Sequence, residues 1–215
     1  PSGVLELELD ENKLHIITDQ YSSTINGVLA DEFPSFPELA DEISWNIPTK
    51  ELKKGLSQVV FAASGDESRP VLTGVYLNTV NGQLFAAATD SYRLSEKNLT
   101  KTSQEISLLV PADAMQELLR ILPDNVEKVN VNADSQQVLF RIGDIELVTR
   151  LIDATYPDYK KLIPTSYAVT ATLARDELVS ITKVSSLFAR ESAGSVTLRV
   201  DEDDKIISIT SIASQ

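Results

Sequence analysis

The feature that most constrains this chain is that it repeats itself. Ile47–Pro48–Thr49–Lys50–Glu51–Leu52 leads into an apolar run ending Phe61–Ala62–Ala63. It returns as Leu173–Ala174–Arg175–Asp176–Glu177–Leu178, with a run ending Phe188–Ala189–Arg190. A second pair agrees: Gly27–Val28–Leu29–Ala30–Asp31–Glu32–Phe33–Pro34 returns as Arg150–Leu151–Ile152–Asp153–Ala154–Thr155–Tyr156–Pro157. Glu51 to Glu177 is a step of 126 residues and Pro34 to Pro157 a step of 123, so separate anchors give nearly one period. A fixed period marks a repeat architecture, here domain-sized rather than solenoid-sized. The chain reads as the tail of one repeat (to about Ile43), one whole repeat, and the head of a third (from about Tyr167). It begins at Pro1 and stops at Gln215 inside a repeat, which is the expectation for an excerpt of a longer protein with incomplete ends and unpaired strand edges.

Composition narrows the function classes. The 215 residues include no cysteine, which excludes disulfide frameworks, zinc-finger chemistry and thiol nucleophiles. A reducing cytoplasm is compatible with that usage, and the expected location is cytoplasmic. No apolar run approaches the roughly 18 residues of a membrane span. An apolar fraction of 42% is enough for a globular core. The net charge of −13 argues, as a sum, against nucleic acid, because phosphate contacts need clustered Lys and Arg. The distribution of that charge matters more than its total.

Most of the chain reads as short strands. Val4–Leu9 alternates apolar and acidic residues, the period of a half-buried strand, and Leu14–Thr18 pairs back after a turn. Val71–Val80 and Gln83–Thr89 flank Asn81–Gly82, a dipeptide suited to a tight hairpin turn. Val126–Val131, Val138–Ile142 and Ile145–Ile152 follow, then Val196–Val200 and Ile206–Thr210 around an acidic turn. Three segments read as helices. Lys50–Ala62 carries the stripe Leu52, Leu56, Val59, Val60, with Thr49 as N-cap. Pro111–Leu122 carries Met115, Leu118, Leu119, Leu122. Arg175–Ala189 carries Leu178, Ile181, Val184, Leu187 and Phe188, expected to face inward. The whole repeat reads β-α-β-β-β-α-β-β-β, each helix covering a sheet.

Candidate chemistry is sparse. The one histidine, His15, lies inside a strand, and no Gly-x-Ser-x-Gly elbow accompanies it. The acidic clusters Asp41–Glu42, Asp66–Glu67 and Asp201–Glu202–Asp203–Asp204 lack EF-hand spacing and sit at predicted turns, where solvated charge is the simple reading. No metal or cofactor site is expected. No Gly-rich phosphate loop is present. Lys50, Lys53 and Lys54 lie at i, i+3 and i+4 opposite the first helix's apolar stripe; Arg120 and Lys183 are on the other helices. On residue pattern alone these are solvated faces, although a lysine-bearing helix can also touch phosphates without reading bases. Thr89–Asp90–Ser91–Tyr92–Arg93–Leu94 follows a strand of small residues. Asp90 there either fixes a turn through backbone amides and Arg93, or the turn also holds Arg93 and Leu94 at the mouth of a groove.

Three stretches carry a resemblance: Arg69–Pro70–Val71–Leu72–Thr73–Gly74–Val75, Ala88–Thr89–Asp90–Ser91–Tyr92–Arg93–Leu94, and Tyr156–Pro157–Asp158–Tyr159–Lys160–Lys161–Leu162–Ile163–Pro164. In order and spacing they resemble the bacterial replicative sliding clamp family, the beta subunits of DNA polymerase III, and the likeness extends over essentially the whole chain. The resemblance implies an α+β DNA clamp fold of repeated β-α-β-β-β units, with helices lining a central hole and sheets outside. It also implies a division into residues 1–44, 45–166 and 167–215, as parts of the first, second and third clamp domains.

The implied function is a non-enzymatic processivity factor. It is a head-to-tail homodimeric ring that encircles duplex DNA and tethers the polymerase III alpha subunit, the clamp loader and other proteins bearing a clamp-binding motif. No membrane partner is implied. Positive charge is then needed only inside the ring, which reconciles −13 with DNA; Lys50, Lys53, Lys54, Arg120 and Lys183 are the expected lining. The implied peptide pocket comprises Leu72, Thr89, Ser91, Tyr92, Arg93, Leu94, Pro157, Lys161 and Leu162, the leucines and proline forming a cavity and Thr89 and Arg93 orienting the peptide. Tyr92 stands where many members have His, and Lys161 where some have Arg. The competing class is a clamp-like peptide-binding module that never encircles DNA; an enzyme would need a catalytic constellation that the sequence does not display.

Overall fold

The structure, a computed structural model, describes residues 3–33, 39, 43–189, 196–201 and 203–211. Pro34 of the second repeat anchor, Asp41–Glu42, Arg190 and Glu202 lie outside the described residues. The chain divides into two compact units, Pro1–Tyr156 and Pro157–Gln215.

The first unit opens with an antiparallel sheet of β1 (Glu6–Asp10), β2 (Lys13–Thr18) and β3 (Tyr21–Asn26). Its main body follows as β4 (Ile43–Pro48), α1 (Thr49–Val59), β5 (Gly74–Val80), β6 (Gln83–Thr89), β7 (Leu94–Lys101), β8 (Ser107–Pro111), α2 (Ala112–Ile121), β9 (Lys128–Ala133), β10 (Gln137–Ile142) and β11 (Ile145–Arg150). This is two β-α-β-β-β units in succession. There are four strands between the helices, one more than the sequence pattern showed. The expected strand start at Val71 is instead a 3-10 turn over Pro70–Leu72, and the strand begins at Gly74. Proline at the head of that turn supplies its φ and lacks a ladder donor.

The two β-α-β-β-β halves of this body exchange their first strands. The sheets have the orders β11-β10-β9-β4 and β7-β6-β5-β8, so β4 leaves its own half to pair with β9, and β8 leaves its half to pair with β5. The junctions match in detail. Pro48 and Pro111 each end the donated strand in extended geometry and cap the following helix. The first helical amide in each case reaches the residue before the receiving strand: Thr49 N–H donates to the Glu127 carbonyl at 3.0 Å, and Ala112 N–H to the Thr73 carbonyl at 2.9 Å. The expected side-chain cap from Thr49 is therefore not used; Pro48 is the cap residue and Thr49 is already helical and buried.

One core joins both sheets and both helices. It contains Ile47, Leu52, Leu56, Val59, Leu77, Leu84, Leu118, Val131 and Phe140, all fully buried. The stripes expected on α1 and α2 are the buried faces. Each such side chain contributes roughly 1.5–3 kcal/mol by leaving water, so the stripes decide how the helices lie. Asn81 and Gly82 have φ of 50° and 71°, as the β5–β6 hairpin turn requires.

The second unit contains a 3-10 turn at Tyr159–Leu162, α3 (Arg175–Phe188) and a hairpin of β12 (Thr197–Asp201) and β13 (Ile206–Thr210). Here the inward stripe is corrected. Leu178 is half-buried, while Ile181, Val184, Leu187 and Phe188 are 47–59% exposed; Ser185 and Ala189 are the buried positions. The physical reason is that, among the described residues, α3 has only a two-stranded hairpin in its unit, whereas α1 and α2 each lie over four-stranded sheets. No described helix is long and apolar enough to cross a membrane.

Gly55 marks a close helix–sheet contact: a methyl built there would run into the buried Leu99 side chain of β7. Gly55→Val should destabilise the chain by about 1–3 kcal/mol through overpacking, read as a lowered urea midpoint with an unchanged m-value.

Candidate partner-binding site and basic helix face

The loop between β6 and β7 is held by one carboxylate. Asp90 Oδ1 accepts the backbone N–H groups of Tyr92 and Arg93, both at 2.9 Å, and Oδ2 accepts Arg93 Nε at 2.9 Å. Thr89, buried at the strand end, donates its hydroxyl to the Arg93 carbonyl at 2.7 Å and accepts Ser91 N–H at 3.2 Å. These bonds hold Ser91 at a φ of 78°. The amides of Arg93 and Tyr92 hold the Asp90 carboxyl below its ordinary value, so the charged form that ties the turn is the one present at neutral pH. The turn-fixing reading of Asp90 is thus observed, and the same bonds fix the outward residues.

Around this turn the first unit assembles part of the expected set. Leu72 is buried at the end of its 3-10 turn, and its carbonyl accepts Ser64 N–H at 2.8 Å. Leu94 is half-buried at the start of β7, and Tyr92 stands out at 95% exposure. Arg69, at the head of the Pro70–Leu72 turn, donates Nη1 to Ser91 Oγ at 3.2 Å and Nε to Asp66 at 3.3 Å. The Arg93 guanidinium lies 5.4 Å from the Phe61 ring centroid, a cation–π contact. Pro157, Lys161 and Leu162 belong to the second unit; Lys161 pairs with Asp158 at 3.0 Å and Leu162 is exposed.

Arg69 and Phe61 are the additions sequence reasoning missed. Arg69 begins the Arg69–Val75 stretch, but its proximity to Ser91 across 22 residues has no local signal. Phe61 stood at the end of the first helix pattern; the Val60–Ala62 3-10 turn leaves it exposed on the rim beside Arg93.

Beneath the loop, Tyr156 stacks on Tyr76 with centroids 4.8 Å apart. Its hydroxyl is buried against the Thr89 backbone, and burial pushes its pKa up to about 12.

The basic residues divide into engaged and free. Lys53 donates to Asp124 at 2.6 Å and to the Leu122 carbonyl at 3.3 Å, tying α1 to the C-terminal end of α2. That hydrogen bond holds the Asp124 carboxyl below its ordinary value. Arg120 pairs with Glu117 at 2.6 Å. Lys50 and Lys54 are exposed on α1 and form no ion pair within 4.0 Å among the described residues. Lys183 is exposed on α3 in the second unit. His15 does ordinary strand work, its Nδ1 lying 2.9 Å from Thr24 Oγ1 on the paired strand. Asp66 accepts Ser68 N–H, and Asp201 accepts the amides of Asp203 and Asp204, so these carboxylates organise turns. Among the described residues no group of three metal-ligating side chains is placed to hold an ion.

Comparison with known proteins follows the same lines. The family described as DNA polymerase III beta subunit, central domain, matches residues 46–158. A beta sliding clamp of Staphylococcus aureus is 30% identical over 218 aligned positions, covering 100% of this chain and 58% of that protein. A solved DNA polymerase III beta chain of Streptococcus pneumoniae superposes with a TM-score of 0.82 at 31% identity, over 95% of this chain and 55% of that one. A sliding clamp of Pseudomonas aeruginosa, solved bound to griselimycin, shares the fold alone at 19% identity and a TM-score of 0.79, over 96% and 59% of the two chains. The fold is therefore the DNA clamp fold. The chain belongs to the DNA polymerase III beta subunit family, and it spans a little over half the length of these relatives.

The raised pKa of Tyr156 has a defined sign. Its neutral form is favoured in the fold, so its contribution is complete below about pH 10, the unfolded value, and is lost as pH rises towards about 12. Tyr156→Phe should remove the step near pH 12 from a phenolate absorbance titration and flatten the loss of stability across that window.

Proposed function

We propose that this chain is the part of a DNA sliding clamp that carries its central domain, with residues 1–44, 45–166 and 167–215 as successive domain portions. The carrying observation is the family match over residues 46–158, extended by likeness to a beta sliding clamp across the whole chain. In a subunit of full family length the protein forms a homodimeric ring in the cytoplasm, encircles duplex DNA and catalyses nothing. Topology rather than affinity holds such a ring on, so a few lysines over a chain of net charge −13 suffice. Lys50 and Lys54 on α1 are the residues best disposed for phosphate contact, because Lys53 and Arg120 already neutralise carboxylates.

Partner tethering uses the apolar patch of Leu72 and Leu94 beside the Asp90 turn. Ser91, Tyr92 and Arg93 form its rim, with Arg69 and Phe61 added. Pro157, Lys161 and Leu162 enter by family resemblance. A turn fixed by three hydrogen bonds to one carboxylate supports this reading, since a preformed rim lowers the ordering cost of binding a short peptide. The partners are those of a replicative clamp: the polymerase III alpha subunit, the clamp loader, and other proteins with a Gln and a Leu-Phe-like motif.

Two experiments test the reading. A subunit of full family length containing these residues is loaded onto nicked circular plasmid by a clamp loader with ATP, and retention is measured before and after linearisation. Loss from free ends is expected of a ring; equal retention on both forms overturns encirclement. Leu72→Ala in the same subunit should weaken a clamp-motif peptide, followed by fluorescence anisotropy, by roughly 1–3 kcal/mol as an emptied anchor position. An unchanged affinity removes Leu72 from the pocket.

A further inference from the structure

A cleft along the seam between β8 and β11 belongs neither to the Leu72–Leu94 patch nor to the lysine face. Its volume is about 700 Å³, within the range of ligand sites. Strand alternation sets its position. Val75 and Leu77 of β5 are fully buried in the core with the helices, so Tyr76 between them points to the opposite face of the sheet. There Tyr156 stacks on it, and the two rings line the cleft together with Leu109 and Ile152. Gly74 permits that packing, because a methyl in its place would run into both Leu109 and Ile152.

Main-chain bonds hold the walls. Ile152 N–H donates to the Leu109 carbonyl at 2.8 Å, and Leu151 N–H to the Gln136 carbonyl at 2.7 Å. The segment after β11 is thereby stitched both to β8 and to the β9–β10 turn. Asp134 Oδ1 fixes that turn by accepting the Gln136 and Gln137 amides, each at 2.8 Å. The Tyr76 hydroxyl and Ser107 Oγ, also in the lining, lie 3.0 Å apart. The cleft is thus built by the fold itself.

Its charges say what it takes. Arg150, Asp134 and Asp153 all line it, yet none of the three forms an ion pair within 4.0 Å among the described residues. The other four arginines of the central body each hold a carboxylate: Arg69 with Asp66, Arg93 with Asp90, Arg120 with Glu117 and Arg141 with Glu146. The Arg150 side chain makes no hydrogen bond among the described residues either, so its donors are unspent. A purely anionic ligand meets two carboxylates in this cleft, and a purely cationic one meets the guanidinium. A ligand carrying both charges satisfies it. In an extended chain, residues i and i+2 project to one side. A Glu-x-Lys segment therefore presents both charges to one surface, with their methylene stems over the tyrosine rings.

We propose that this cleft docks an extended peptide segment bearing an acidic and a basic side chain two residues apart, its carboxylate on Arg150 and its ammonium facing Asp134 and Asp153. The site adjoins the loop that carries the apolar patch through Tyr156, whose ring lies in the cleft and whose hydroxyl is set against the Thr89 backbone. The inference rests on the central body alone and is independent of whether the protein encircles DNA.

The test uses a subunit of full family length containing these residues and the probe peptide acetyl-Gly-Glu-Leu-Lys-Gly-amide, followed by saturation-transfer NMR of the peptide resonances. Saturable binding is expected, weakening roughly fivefold when the probe's Glu and Lys are both replaced by Gln. Arg150→Gln, which removes no bond of the fold, should erase the advantage of Glu over Gln in the probe. Asp153→Asn should reduce the advantage of Lys. Leu72→Ala should leave probe binding unchanged. Absence of saturable binding, or equal affinity for the charged and the Gln probes, overturns the proposal. So does an affinity indifferent to Arg150→Gln. Loss of binding with Leu72→Ala overturns it as well, because the probe then sits on the apolar patch.

Discussion

Everything in the central body depends on the exchange of one strand in each direction between its two halves. Neither β5–β6–β7 nor β9–β10–β11 owns its fourth strand; each receives it from the chain that begins the other half. The donated strand runs straight into a helix, so pairing the strand also sets the helix start, and the first helical amide bonds the receiving segment. Sheet order, helix placement and the single core are consequences of that geometry. Burial of the α1 and α2 stripes is what holds the two helices, because short helices gain little from propensity alone.

The Thr89–Leu94 loop inherits its position from the same frame. Thr89 ends β6, which is buried along most of its length, and Leu94 begins β7, against which α1 packs at Gly55. Between two anchored strand ends, a single carboxylate is enough to fix the turn. Tyr156, at the end of the first unit, stacks on Tyr76 of β5 and sets its hydroxyl against the Thr89 backbone where the loop begins.

Much of this was legible in the sequence because periodicity reports burial. The Leu52–Leu56–Val59 and Met115–Leu118–Leu122 stripes name the faces that are buried, and Asn81–Gly82 names its turn. The same reasoning failed for α3, whose stripe is as apolar as the others but meets no four-stranded sheet among the described residues of its unit; periodicity states what a face needs and not what it finds. β7 reads poorly because Leu94–Lys101 is mostly polar, with only Leu94 and Leu99 apolar, and its pairing is irregular near Leu84 and Phe85. Asp90 was legible because its partners are local. Arg69 and Phe61 were not, since each reaches the loop through contacts far apart in sequence. The lysine face was legible as charge, but the engagement of Lys53 by Asp124, 71 residues away, was not.

The donated strand also sets an order of events during synthesis. Trp45 of β4 meets Asn130 of β9 across 85 residues of chain. At about 5–20 residues per second, β4 leaves the ribosome several seconds before its receiving strand exists. In that interval β5–β8 can close their own sheet, while β4 waits as an amphipathic strand without a ladder. Its alternate positions are Ser44, Asn46 and Pro48, which keep one face polar and place a residue unable to donate at its end. Those choices, unremarkable in the finished sheet, are the ones that discourage a waiting strand from pairing with a neighbouring nascent chain.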